Sequence, residues 1–151
     1  MKYSEKISNK LNDLLEKTYD AENGYRLAKE KVENASVKKF LSDRENERRT
    51  FSGELKTEIS KYGELPKTEG SLTGNIHRTW MNVKAAVASN KEEKILEEVE
   101  RGEKASLEEY NEILRDRDFE FPPSTENLLM KQRNAIYASI NTAKGYEEIM
   151  S

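Results

Sequence analysis

The sequence predicts an all-α protein: four long helices in one bundle, with a shorter fifth helix in the crossover between the second and the third. Three observations predict it. Apolar residues recur at three- and four-residue spacing through long stretches of the chain. The clearest break between those stretches, Glu64 to Gly70, holds Pro66 and Gly70. No segment of useful length alternates in the manner of a strand. A chain of 151 residues suits one domain, spanning 1–151, with room for one such core.

Each helix has its own stripe. Ile7, Leu11, Leu14, Thr18, Ala21, Tyr25, Ala28 and Val32 place the first roughly over Ser4 to Asn34, with Ser4 as the expected N-cap. After Asn34-Ala35-Ser36, the second carries Val37, Leu41, Glu45, Arg48, Phe51, Leu55, Ile59 and Tyr62, and Gly63 supplies its stop. So short a connection makes these two antiparallel neighbours. Leu72, Ile76, Trp80, Val83 and Val87 mark the shorter helix, which Ser89-Asn90 ends. Leu96, Val99, Glu103, Ser106, Tyr110 and Leu114 mark the next, whose first turn suits the acidic Glu92-Glu93 pair. Asp116 to Pro123 reads as a loop. Ser124 is the expected cap of a last helix whose inner stripe is Leu129, Gln132, Ile136, Ile140, Ala143 and Glu147 or Met150.

Charge narrows the function classes. Charged residues make up 36% of the chain against 34% hydrophobic, and the helical faces on which they fall explain that balance without disorder. The 26 basic and 29 acidic residues interleave, so no basic stripe tracks a phosphate backbone and nucleic acid is not an expected partner. With no cysteine, disulfides, thiolate metal sites and cysteine nucleophiles are excluded. The polar start from Met1 to Leu11 and the lack of a membrane-length apolar run lead to the expectation of a cytoplasmic protein. One histidine and no Gly-rich phosphate loop leave conventional nucleophilic catalysis without its parts; the balance leans away from an enzyme and leaves metal-dependent oxidation as the enzymatic alternative.

The informative feature is where polar residues interrupt the stripes. Folding the first two helices back about Ala35 sets Glu22 opposite Arg48, with Glu45 one turn away. If the short helix returns the chain to the start of the second, the following helix runs parallel to it. Counting down both then sets Glu100 level with Glu45 and Glu103 level with Arg48. Gln132 lies near the same depth on the last helix. A carboxylate inside a bundle must be paired, protonated or bound to metal, since leaving it ionised and alone costs several kcal/mol.

Two runs carry a family resemblance: Gly74-Asn75-Ile76-His77-Arg78-Thr79-Trp80-Met81, and Glu98-Val99-Glu100-Arg101-Gly102-Glu103 with Tyr110 beyond it. With these the chain resembles, nearly end to end, a bacterial ferritin-like four-helix-bundle family of unknown function. That resemblance implies a ferritin-like bundle with a long crossover, and a comparison with the ferritin-like di-iron site. Such a site draws one Glu from each of two helices and a Glu-x-x-His from each of the others. Glu22, Glu45 and Glu103 or Glu100 match its carboxylates, which makes these four the candidate metal ligands. Arg48 stands where a histidine belongs and has no lone pair to give a metal. The last helix has no Glu-x-x-His.

Two readings follow. In the first, Glu22, Glu45, Arg48, Glu103 and Gln132 form a structural polar layer in a non-enzymatic bundle without cofactor, stress-associated or interacting with another protein or a second copy. Its excess negative charge would call on a further arginine such as Arg44 or Arg26, or on a protonated Glu. In the second, the carboxylates bind iron or manganese in a divergent oxidase or storage protein. Tyr25, Tyr110 and Tyr137 read as core residues with hydrogen-bonded hydroxyls. His77 reads as a packing or helix-to-helix contact, and Trp80 as the anchor of the crossover, unless exposure of Trp80 and Met81 marks a partner surface.

Overall fold

The computed structural model describes residues 2–71, 73–89 and 91–150. Among them are five α-helices and no strand: α1 (Tyr3–Glu30), α2 (Ala35–Lys61), α3 (Asn75–Ala88), α4 (Glu92–Arg115) and α5 (Pro123–Met150). The predicted helices are all present, and their ends differ for local reasons. The α1 N-cap position is Lys2, which makes no side-chain cap bond, so Ser4 falls inside the helix rather than capping it. Asn34 is a working cap instead: its side chain accepts the Val37 N–H at 3.0 Å. Ser124 also lies inside its helix, because Pro123 already occupies the first helical position, where its missing N–H costs nothing.

At the far end of α2, Gly63 has φ +76, a conformation open to glycine. The Gly63 and Glu64 N–H groups then turn back to the carbonyls of Ser60 and Ile59. In the crossover, Leu72 and Asn90 fall outside the described residues, and α3 begins at Asn75.

Side-chain contacts at the two ends set the topology. Glu92 at the start of α4 accepts the Glu33 and Asn34 N–H groups at the α1–α2 turn, at 2.5 and 3.0 Å. At the other end Lys10 meets Asp116 at 3.1 Å, and Tyr62 meets Thr125 at 2.7 Å. Hence α4 runs parallel to α2, as expected, and antiparallel to α1 and α5. Backbone proximity joins α1 to α2 and α4, and α5 to α4 and α2, leaving α2 and α4 on the diagonal. The crossover helix α3 lies across α1 and α4.

Two apolar clusters fill the interior. One gathers Ala21, Tyr25, Leu41, Trp80, Val83, Leu96 and Val99 toward the α1–α2 turn. The other gathers Ile7, Leu11, Leu55, Ile59, Tyr110, Leu129 and Ile136 toward the far end. Trp80 is buried, and it fits because α1 and α4 carry no side chain beneath it: a Cβ on Gly24 would overlap the indole, and one on Gly102 would stand 2.8 Å from Trp80 Cε2. Mid-helix glycine costs roughly 1 kcal/mol relative to alanine, which the seated indole offsets by the apolar area it removes from water. Met81, the next residue, is exposed, so the pair forms no joint surface patch.

Candidate functional site

Between the two clusters lies a layer of buried polar side chains, and Arg48 is its largest member. The α2 stripe turns Arg48 inward between Leu41 and Leu55, where it is 1% exposed. From the diagonal helix, Glu103 arrives fully buried, and Arg48 Nη2 donates to its Oε1 at 2.5 Å. Comparing helix depths places these two level, and the contact realises that register. The guanidinium also lies 5.9 Å from the centre of the Tyr25 ring and 5.8 Å from that of Phe51.

The electrostatics of the pair are opposed. Burial pushes the Glu103 carboxyl above its ordinary value, against the pull of Arg48. Burial alone would lower the Arg48 guanidinium, and the Glu103 charge reverses that, so Arg48 keeps its proton. The permanent cation beside it favours the ionised form of Glu103, opposing the effect of burial. Such a pair gives little net stability, because desolvation consumes most of the attraction, but removing one partner strands the other. Arg48 Nη1, Glu103 Oε2 and the Tyr25 hydroxyl are buried without a well-aligned hydrogen bond. Burial pushes the Tyr25 phenol far above its ordinary value, and the neighbouring Glu103 charge adds to that.

The other expected members of the layer are placed differently. Glu45 is buried, yet it turns toward the α1–α2 face, where Lys29 stands at 2.5 Å and Arg49 at 3.2 Å. Glu22 does not face Arg48. It sits at the margin of its stripe, 4.0 Å from Arg49, so its depth is right to within one residue and its direction around the helix is not. Lys29 and Arg49 relieve the charge of Glu45; Arg26 is exposed and takes no part, whereas Arg44, which bonds Glu47 at 2.9 Å and Ser139 at 3.2 Å, also favours the charged form of Glu103.

Gln132 is buried but belongs to a second polar bridge. Its Oε1 accepts the Tyr110 hydroxyl at 2.7 Å, and its Nε2 donates to Glu54 at 3.2 Å, linking α4, α5 and α2. Burial pushes the Tyr110 phenol up to about 12. Tyr25 and Tyr110 are core residues, whereas Tyr137 is 52% exposed on the outer side of α5, contrary to expectation.

Glu100 stays out of the interior. It pairs with Lys104 at 2.5 Å and with the carboxyl of Glu147 from α5. Glu147 rises to about 7, first through desolvation and then through its hydrogen bond to Glu100. His77 does make a helix-to-helix contact: its Nδ1 is 3.8 Å from Asp20 Oδ1 on α1, too long for a hydrogen bond. Asp20 also accepts the Ser71 hydroxyl, tying the crossover loop to α1, and burial raises its carboxyl.

Sequence reasoning missed the Glu100–Glu147 pair and the Glu54–Gln132–Tyr110 bridge. The second had a signal: Gln132 and Tyr110 both interrupt apolar stripes, and buried polar groups need partners. Among the described residues, no group of three or more Asp, Glu or His side chains is placed to hold a metal ion. Nor is any described helix long and apolar enough to cross a membrane.

The architecture and the buried ion pair define an all-α bundle protein with a helical crossover. More particularly, the chain belongs to the family described as "Domain of unknown function (DUF2383)", whose model matches residues 6–116. No curated protein and no solved structure matches it.

Proposed function

We propose that this protein is a ferritin-like bundle in which the Arg48–Glu103 ion pair occupies the level of a di-metal site, and that its role is non-enzymatic. The observation that carries the reading is that pair: two buried, oppositely charged side chains joined at 2.5 Å across the diagonal of the bundle. The parallel α2 and α4, joined by a long helical crossover, support the ferritin-like assignment.

The residues fit a metal poorly. Glu103 is turned to Arg48, Glu45 to Lys29 and Arg49, and Glu100 to Lys104 and Glu147, so each carboxylate already has a partner. A guanidinium at the level of the ligands offers no lone pair and repels a divalent cation. On this reading the polar layer holds the diagonal helices in register, as buried polar groups do in some helical assemblies.

Metal loading tests it. Purified without chelator and incubated with Fe(II) or Mn(II), the protein should retain substoichiometric metal by elemental analysis. Stoichiometric binding that Glu45→Ala and Glu103→Ala abolish would overturn the proposal in favour of an iron or manganese protein.

A further inference from the structure

Asp20 is a buried carboxylate that the polar layer does not use. It lies on α1, 6% exposed, and it touches both parts of the crossover at once. Its Oδ2 accepts the Ser71 hydroxyl from the loop, and its Oδ1 stands 3.8 Å from His77 Nδ1 in the first turn of α3. The loop passes so close that a Cβ on Gly70 would overlap the Asp20 carboxyl. The other charges facing His77 are matched among themselves. Glu16 of α1 takes Lys67 of the loop at 2.6 Å, and Lys17 of α1 takes Glu109 of α4. Arg78, the next residue of α3, is exposed. Among the described residues, Asp20 is thus the carboxylate of this junction whose paired cation is a histidine, the side chain that gains and loses charge near neutral pH.

We propose that Asp20 and His77 form a proton-operated clasp, which fastens the crossover to α1 when the imidazole is charged and slackens it when the imidazole is neutral. A neutral ring at 3.8 Å makes no hydrogen bond to the carboxylate. A protonated ring donates from both nitrogens and carries a full opposite charge, so proton uptake draws the start of α3 onto α1. Burial raises the Asp20 carboxyl and the His77 charge opposes that, so the carboxylate gains from a cation at this place. By linkage, the clasp stabilises the junction while His77 is protonated and Asp20 ionised. It is lost as pH rises through the histidine range, and again in acid once Asp20 takes a proton. Its reach is local. Trp80 and Val83 seat the rest of α3 by apolar burial, whereas no residue of 64–71 is buried. Slackening therefore loosens the loop and the first turn of α3, and widens the cavity of about 300 Å³ that Glu16, Ser71, Thr73 and His77 help to line.

Amide hydrogen exchange of the full chain tests this, independently of any metal. After correction for the intrinsic pH dependence of exchange, protection across residues 73–79 should fall by about threefold or more between about pH 6 and pH 8. His77 is the only histidine, so a single substitution removes the switch. His77→Gln, with helical content checked by circular dichroism, should abolish the fall. Asp20→Asn, which keeps an acceptor for the Ser71 hydroxyl, should abolish it as well. His77→Lys, which carries its charge over the whole range, should hold protection at the low-pH level. Glu147→Gln, remote on α5, should leave the fall in place. Equal protection at both pH values in the unaltered chain would overturn the proposal. So would a fall that survives in His77→Gln or in Asp20→Asn, or one that disappears in Glu147→Gln.

Discussion

Glu100 and Glu103 lie one turn apart on α4 and live in opposite settings. Glu103 is sealed in the bundle against a guanidinium that never loses its charge. Glu100 is at the rim, and its neighbours are a flexible lysine and a second carboxyl. A rotation of about 100° per residue separates the two directions, yet it decides whether a carboxylate becomes a structural tie or a titrating surface group. Burial makes the inner contact costly to break, and solvent makes the outer one cheap.

The sharpest way to break that contrast is Arg48→Met. It leaves Glu103 buried without a cation and should lower the unfolding free energy by about 3–5 kcal/mol in urea denaturation. The Arg48→Met/Glu103→Met double variant should recover most of the loss, since two apolar side chains need no partner. A single-variant loss within about half a kcal/mol would show that the layer is solvated. Next in size is Gly102→Ala, between the two glutamates. The added methyl meets the indole of Trp80 and should cost about 1–3 kcal/mol by overpacking, against the usual gain from alanine in a helix.

The rim responds to pH. Glu147 has an unperturbed value of 4.5 and is raised to about 7 in the folded protein, so the folded state holds a proton that the unfolded state has released. Its contribution is fully present below the unfolded value and is lost as pH rises through the folded one. Stability should therefore fall between about pH 4.5 and 7 from this group, and Glu147→Gln should flatten the fall. Following the Glu147 carboxyl carbon by NMR across that range measures the titration directly. Smallest of all, Lys104→Met removes an exposed partner of Glu100 and should shift stability by less than about 1 kcal/mol.

How far the sequence reached follows the same division. The helices and the parallel run of α2 and α4 were legible because apolar periodicity and chain reversal leave few other arrangements. Depth along an axis was legible too, which is why Arg48 and Glu103 could be set level. Direction around an axis was not: Glu22 and Glu45 lie on stripe edges, where a turn of one residue exchanges the interior for the neighbouring helix and its lysine or arginine. Tyr137 shows the same error from the other side. It adjoins the inner residue Ile136, and only the packed helix shows that it points outward. The Glu100–Glu147 pair joins residues 47 apart in the chain, and no local pattern announces it.

Trp80 is the only tryptophan in the chain, and it is seated where three helices far apart in sequence converge. The α1–α2 hairpin can close through local contacts, but the slot for the indole exists only once Gly24 and Gly102 have been brought together across 78 positions of chain. The protein thus carries its own clock for the slow, non-local part of folding. The change in tryptophan emission during refolding times the docking of the crossover, separately from the gain of helix seen by circular dichroism.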